Sequence, residues 1–261
     1  MSLTADVNGV QLFYRDTGDG TPLLLLHGFT GSGDDWRHVF ASPLPGHRII
    51  VPDLRGHGRS TNPSGVFRFA DVAGDVFGLL DRLAIDRVMA IGMSAGANTL
   101  LHMATQQPDR VEAMIHVSGT PRFPEQARAI MRTMTEESRS DSEWADMRRR
   151  HHHGDDQIRA LWRHAREFAA DREDMNFTPA TLAAITTRTL IVHGDRDPLY
   201  PVELAVELFR AIPAASLWVV PDGGHGPIFG HQAEPFVRAA AAFFARRGLV
   251  GVTDTNSAVL Q

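Results

Sequence analysis

The chain has 261 residues, with 26 Lys plus Arg against 31 Asp plus Glu, a formal net charge of −5 and no cysteine. The absent thiols exclude disulfides, thiolate catalysis and zinc–thiolate sites, and the mildly acidic balance gives no electrostatic reason to expect nucleic acid or an anionic membrane as partner. A length of this order suits one α/β domain with an insertion, acting on a small molecule as a monomer or homodimer.

The N-terminal Met1-Ser2-Leu3-Thr4-Ala5-Asp6 lacks a basic and an apolar targeting region, and no stretch approaches the ~20 apolar residues of a membrane helix, so a cytoplasmic location is expected. Leu3–Val7 and Val10–Arg15 flank Asn8-Gly9, a dipeptide that tolerates positive φ and predicts a tight hairpin. Six short apolar runs without polar alternation then predict strands covered on both faces: Pro22–Leu26, Arg48–Val51, Val88–Ile91, Ala113–Val117, Thr189–Val192 and Leu217–Val220. Between them, Val72, Val76, Leu79, Leu80 and Leu83 keep a helical period, as do Ala205, Leu208, Phe209 and Ile212, and later Phe236, Ala240, Phe243 and Phe244. The alternation of strand and helix predicts a mostly parallel sheet with helices on both faces.

Residues 120–178 interrupt this alternation with Arg-, Met-, Glu- and His-rich helical runs and no convincing strand. The expected organisation is a core of residues 1–119 and 179–247, a helical insertion of 120–178 and a tail of 248–261. Within the insertion, His151-His152-His153 does not suit a metal ion, because adjacent helical residues point about 100° apart; it is read as a solvated helix end. Arg148-Arg149-Arg150 is read as charged surface. The tail ends in Ser257-Ala258-Val259-Leu260-Gln261, which resembles the residues left by coronavirus main-protease cleavage, so it is set aside as an added remnant.

The chemistry concentrates in Gly92-Met93-Ser94-Ala95-Gly96, which lies between a predicted strand and the helix-like Ala97–Ala104. A GxSxG pentapeptide in a strand–turn–helix context forms a nucleophile elbow, in which the glycines permit close approach and the serine hydroxyl stands exposed. The alternative is a helix N-cap flanked by two packing glycines. A serine hydroxyl needs a base, and the base needs an orienting group. His225, in Gly223-Gly224-His225-Gly226-Pro227 after the last strand, is the expected base. Asp197, in Gly194-Asp195-Arg196-Asp197-Pro198, is favoured as the acid over Asp195, which sits in the tight turn. Backbone N–H groups of Phe29 and Ala95 are expected to form the oxyanion hole, with Gly28 or Thr30 as substitutes for the first. No GxxxxGK[ST] or GxGxxG phosphate cradle is present, and such a site needs neither cofactor nor metal.

His27-Gly28-Phe29, Asp53–Ser60, Gly92–Gly96, Gly194–Pro201 and Gly224-His225-Gly226-Pro227 follow one another in an order and spacing that resembles the α/β-hydrolase superfamily, up to about Arg247. The resemblance implies an α/β-hydrolase fold with residues 120–178 as a helical cap over the pocket. It also implies a structural role for Asp53–Ser60, so neither Arg55 nor His57 is given a catalytic one. Family members that open epoxides or displace halide carry aspartate at the elbow; Ser94 points to an ester, lactone, thioester or activated C–C bond instead. Phe29 and Met93 are expected to line the pocket, joined from the cap by Met131, Trp144 and Trp162, with Phe123 and Met134 as further candidates.

Thr30-Gly31-Ser32 with Trp36 is similar to the early motif of menaquinone-pathway synthases of this fold, but Asn98 stands where those enzymes place a substrate-binding arginine. The leading reading is a carboxylic ester hydrolase. A lyase or C–C bond hydrolase, with Arg122, Arg128 or Arg132 binding a carboxylate, and a non-catalytic small-ligand receptor are the alternatives.

Overall fold

The computed structural model describes residues 2–41 and 44–246. Its strands are β1 (Ser2–Val7), β2 (Val10–Thr17), β3 (Thr21–Leu26), β4 (His47–Pro52), β5 (Val88–Met93), β6 (Val111–Val117), β7 (Arg188–Gly194) and β8 (Ala215–Val220). Its helices are α1 (Phe69–Arg82), α2 (Ala95–Gln106), α3 (Glu125–Arg132), α4 (Asp141–Arg150), α5 (Asp155–Ala170), α6 (Pro179–Ala183), α7 (Val202–Ala211) and α8 (Ala233–Ala245). Each expected strand is present and extends further at one or both ends. The hairpin turns at Asn8 and Gly9, both with positive φ (47° and 79°), which matches the twist of the paired strands.

The strands form one sheet in the order β1-β2-β4-β3-β5-β6-β7-β8. β1, β2 and β4 pair antiparallel, and the pairs from β4 through β3 to β8 are parallel. Alternation along each central strand sorts its residues between two apolar layers. Leu24, Leu26, Ile50, Ala90, Met114 and Ile191 pack in the layer with α1, α2 and α7. Leu23, Leu25, Ile49, Met89, Ile91, Ile115 and Val192 pack in the layer with Phe236, Ala240 and Phe244 of α8. Coverage on both faces explains why these runs are apolar throughout.

Parallel pairing places the C-terminal ends of β3, β5, β6, β7 and β8 on one edge of the sheet, where the following loops converge. α3 to α6 lie between β6 and β7, and α3 packs on α5. The described part of this segment contains one isolated bridge, Arg122 with Asn176, and no strand. Among the described residues, no helix is long and apolar enough to cross a membrane. The tail 248–261 lies outside the described residues.

The turn from β5 into α2 is a tight junction on that edge. A Cβ at Gly92 would stand 2.4 Å from the Gly96 carbonyl oxygen, and one at Gly96 would stand 2.2 Å from that of Leu26. Backbone cannot yield as a side-chain tip does, so Gly96→Ala is expected to destabilise by about 1–3 kcal/mol through overpacking. At Gly224 a Cβ meets nothing within 4 Å, so Gly224→Ala serves as the control. Thermal melts check the pair: Gly96→Ala should melt several degrees lower and Gly224→Ala close to wild type.

Candidate active site

Ser94 follows β5 directly and adopts φ 50° and ψ −109°, a conformation that costs a non-glycine residue about 1–3 kcal/mol and is typical of functional turns. Two backbone bonds hold it there: its N–H donates to the Val117 carbonyl at 2.8 Å, and its own carbonyl accepts from Asn98 N–H at 2.9 Å. The hydroxyl makes no capping bond to α2, which removes the helix-cap alternative. It donates instead to His225 Nε2 at 2.8 Å.

His225 reaches the elbow from the loop after β8, and its Nδ1–H donates to Asp197 Oδ2 at 2.8 Å. The other oxygen of Asp197 accepts from the N–H groups of Leu199 (2.8 Å) and Tyr200 (3.2 Å). Its carboxylate is fully shielded from solvent. Burial alone raises this carboxyl, but the His225 hydrogen bond and charge and the two backbone donors hold it below the usual carboxylate range. Asp195, by contrast, is exposed at the turn. The structure thus brings Ser94, His225 and Asp197 into one hydrogen-bonded chain and leaves Asp195 outside it.

The loop after β3 passes beside Ser94, so that a Cβ at Gly28 would lie 3.6 Å from the Ser94 Cβ. Among the described residues, no acceptor pairs with the N–H of Phe29 or of Ala95, the first residue of α2. A cavity of about 230 Å³ opens at Ser94 and His225, walled by Phe29, Met93, Met131, Met134, Phe168 and Leu199.

Trp144 and Trp162 do not line this cavity. Their rings pack edge to face at 4.5 Å, in an apolar cluster with Met147, Ile158 and Leu161 against which Phe29 also packs. Phe123 is likewise buried in the core. Ile130 and the expected Met134 of the α3 region, with Ala165 and Phe168 of α5, take wall positions. Their i,i+4 and i,i+3 spacing marks common faces, but the sequence does not say which face of each helix meets the sheet.

The arginines considered as carboxylate binders are engaged elsewhere. Arg122 forms a bidentate pair with Glu207 at 2.5 and 2.7 Å. Arg128 donates to the carbonyls of Phe123, Phe168 and Ala169, and Arg132 pairs with Glu125. Arg55 is locked to Asp75 at 2.6 and 2.8 Å, in keeping with a structural Asp53–Ser60 loop.

His151 is not solvated; it is 2% exposed. Its Nδ1 accepts from Gly58 N–H at 2.9 Å and its Nε2–H donates to the Thr30 carbonyl at 3.1 Å. Behind Asp197, His193 donates to the Tyr200 carbonyl at 2.9 Å, and the neighbouring His116 has both ring nitrogens buried without a partner. Burial lowers the imidazoles of His151 to about 4 and His116 to about 3.

A folded-state pKa below the unfolded value of about 6.5 means that the unfolded chain takes up a proton which the folded ring refuses. Stability is then lost as pH falls below about 6.5, at up to about 1.4 kcal/mol per unit for each group. Melts between pH 7 and pH 5 should show the melting temperature falling with acidity, and His116→Leu should make that slope shallower; an equal slope in the variant would contradict this account.

The model of the alpha/beta hydrolase fold family matches residues 21–149, and that described as TAP-like protein matches residues 167–256. Epoxide hydrolase 2 of Siraitia grosvenorii is 37% identical over 119 residues, which are 44% of this chain and 37% of that protein; the chain therefore spans well under half of that relative. The 2-hydroxymuconate semialdehyde hydrolase of Pseudomonas sp. (strain CF600) is 26% identical over 273 residues, covering 94% of each chain. Among solved structures, a thermophilic esterase from Thermogutta terrifontis superimposes with a TM-score of 0.74 at 24% identity, over 94% of this chain and 98% of that one, a likeness of fold. Sheet order, elbow and family models agree: the chain belongs to the α/β-hydrolase superfamily.

Proposed function

We propose that this protein is a serine hydrolase that cleaves a carboxylic ester, lactone or thioester of a small, largely apolar substrate through an acyl-enzyme. The observation that carries this reading is the unbroken chain Ser94 Oγ–H to His225 Nε2 and His225 Nδ1–H to Asp197, each link 2.8 Å, at the mouth of an apolar cavity. Ser94 attacks the carbonyl carbon as its proton passes to His225, and the buried Asp197 charge stabilises the imidazolium. The negative oxygen is held by the free N–H groups of Phe29 and Ala95. His225 returns the proton to the leaving alcohol, and a water activated by the same imidazole releases the acid.

Epoxide opening is disfavoured because Ser94 occupies the elbow where members that open epoxides carry aspartate. Similarity to the Pseudomonas semialdehyde hydrolase over nearly the whole chain favours C–C bond hydrolysis as the second reading. Against it, no arginine is among the residues lining the cavity, so a substrate carboxylate would find no ionic partner there.

Ser94→Ala is expected to lower kcat on 4-nitrophenyl butyrate by about 10⁴- to 10⁶-fold while leaving the melting temperature near wild type. Asp197→Asn should cost about 10⁴-fold by removing the charge and favouring the wrong tautomer, whereas Asp195→Asn should stay within a few-fold. A fluorophosphonate probe should place a single label on the peptide that contains Ser94. Activity of Ser94→Ala within tenfold of wild type would sink the assignment, and label on another residue would move the nucleophile.

A further inference from the structure

Two polar side chains in the apolar cavity have no part in the scheme above. Asn98, one turn into α2, is 1% exposed and lines the cavity beside Ser94. Its Oδ1 accepts from Thr120 N–H at 3.0 Å, which fixes the amide orientation and turns Nδ2 away from Thr120. That Nδ2 has no hydrogen bond of standard geometry, and a buried amide donor left in this state is costly unless a ligand fills it.

Tyr200, in the loop after β7, is 3% exposed and also lines the cavity, its ring edge-on to His225 at 5.3 Å. Its phenol faces the side chains of Asn98 and Ser94. Burial and the nearby Asp197 charge push this phenol well up from its usual range, so it keeps its proton and remains a donor. Ser94 gives its single proton to His225, and among the described residues no acceptor is bonded to the phenol, whose O–H is therefore available to a ligand oxygen.

We propose that Asn98 and Tyr200 together anchor a second oxygen of the substrate's acyl group, so that the preferred acyl chain is short and carries an ether, keto or hydroxyl oxygen one or two bonds beyond the scissile carbonyl. The position follows from geometry. Attack requires the carbonyl carbon within about 3–3.5 Å of Ser94 Oγ, and the phenol lies against that same hydroxyl, so an oxygen bonded to it stands close to the reacting carbon. The size follows from the cavity: about 230 Å³ is below the roughly 300–1,000 Å³ of pockets that take drug-sized ligands. This inference rests on the ester-hydrolase reading and narrows its substrate class.

The experiment compares 4-nitrophenyl methoxyacetate with 4-nitrophenyl butyrate, which match in length and shape and differ by an oxygen in place of one CH₂. Each kcat/KM is divided by the ester's rate with hydroxide, which removes intrinsic reactivity. Wild type should then favour the methoxyacetate by about tenfold or more, since a site built to hydrogen-bond an oxygen discriminates against its methylene analogue. Tyr200→Phe, which deletes only the hydroxyl, should bring the corrected ratio close to one. Asn98→Asp, which keeps the acceptor for Thr120 N–H but replaces the donor, should lower it below wild type. A corrected wild-type ratio near one, or a Tyr200→Phe variant that loses equally on both esters, overturns the anchor and leaves ester hydrolysis standing. Failure of wild type to turn over either ester overturns the hydrolase reading and the anchor with it.

Discussion

The approach of α2 to β3 through Gly96 is the constraint on which the site depends. With the Leu26 carbonyl 2.2 Å from where a Cβ would be, the first turn of the helix is pressed against the end of the neighbouring strand. The same loop continues from Leu26 to Phe29, so this contact sets the separation between the Ala95 and Phe29 amides. Ser94 is carried along at positive φ, its backbone tied to β6 through Val117. Strain at one residue is thus supported by hydrogen bonds and packing on either side, the usual condition for keeping such a conformation.

Electrostatics then follow from burial. A carboxylate shut off from solvent is unfavourable unless its lone pairs are occupied, and Asp197 has two backbone donors on one oxygen and His225 on the other. The arrangement leaves His225 a single tautomer, with Nε2 free to accept from Ser94. The low polarity of the cavity wall strengthens each of these interactions relative to water.

Much of this was legible in the sequence because the signals were local. Buried parallel strands read as apolar runs cut by Gly, Pro or Asp, and the elbow pentapeptide is contiguous. The order of the Asp197 and His225 loops along the chain matches their convergence at one sheet edge. What was not legible depends on which face of an element meets which neighbour. Trp144 and Trp162 are large, apolar and in the insertion, yet they pack on each other, while the smaller Ile130 and Ala165 reach the cavity. Asn98 registers in the sequence only as the lack of an arginine, and nothing singles out Tyr200. The place of both in the cavity lining, and the unpartnered Nδ2 of Asn98, emerge only once the chain is folded. His151 reads as one of three surface histidines because a triplet carries no information about which ring turns inward.

That inward ring also ties the helical segment to the core. His151 stands at the C-terminal end of α4 and joins Gly58 to Thr30, while the next residue, His152, donates its N–H to the Gly58 carbonyl at 2.9 Å. A neutral imidazole has one proton and one lone pair, and here both are committed, so a substitution at His151 removes bonds to two core loops at once, one of them the loop that carries Phe29.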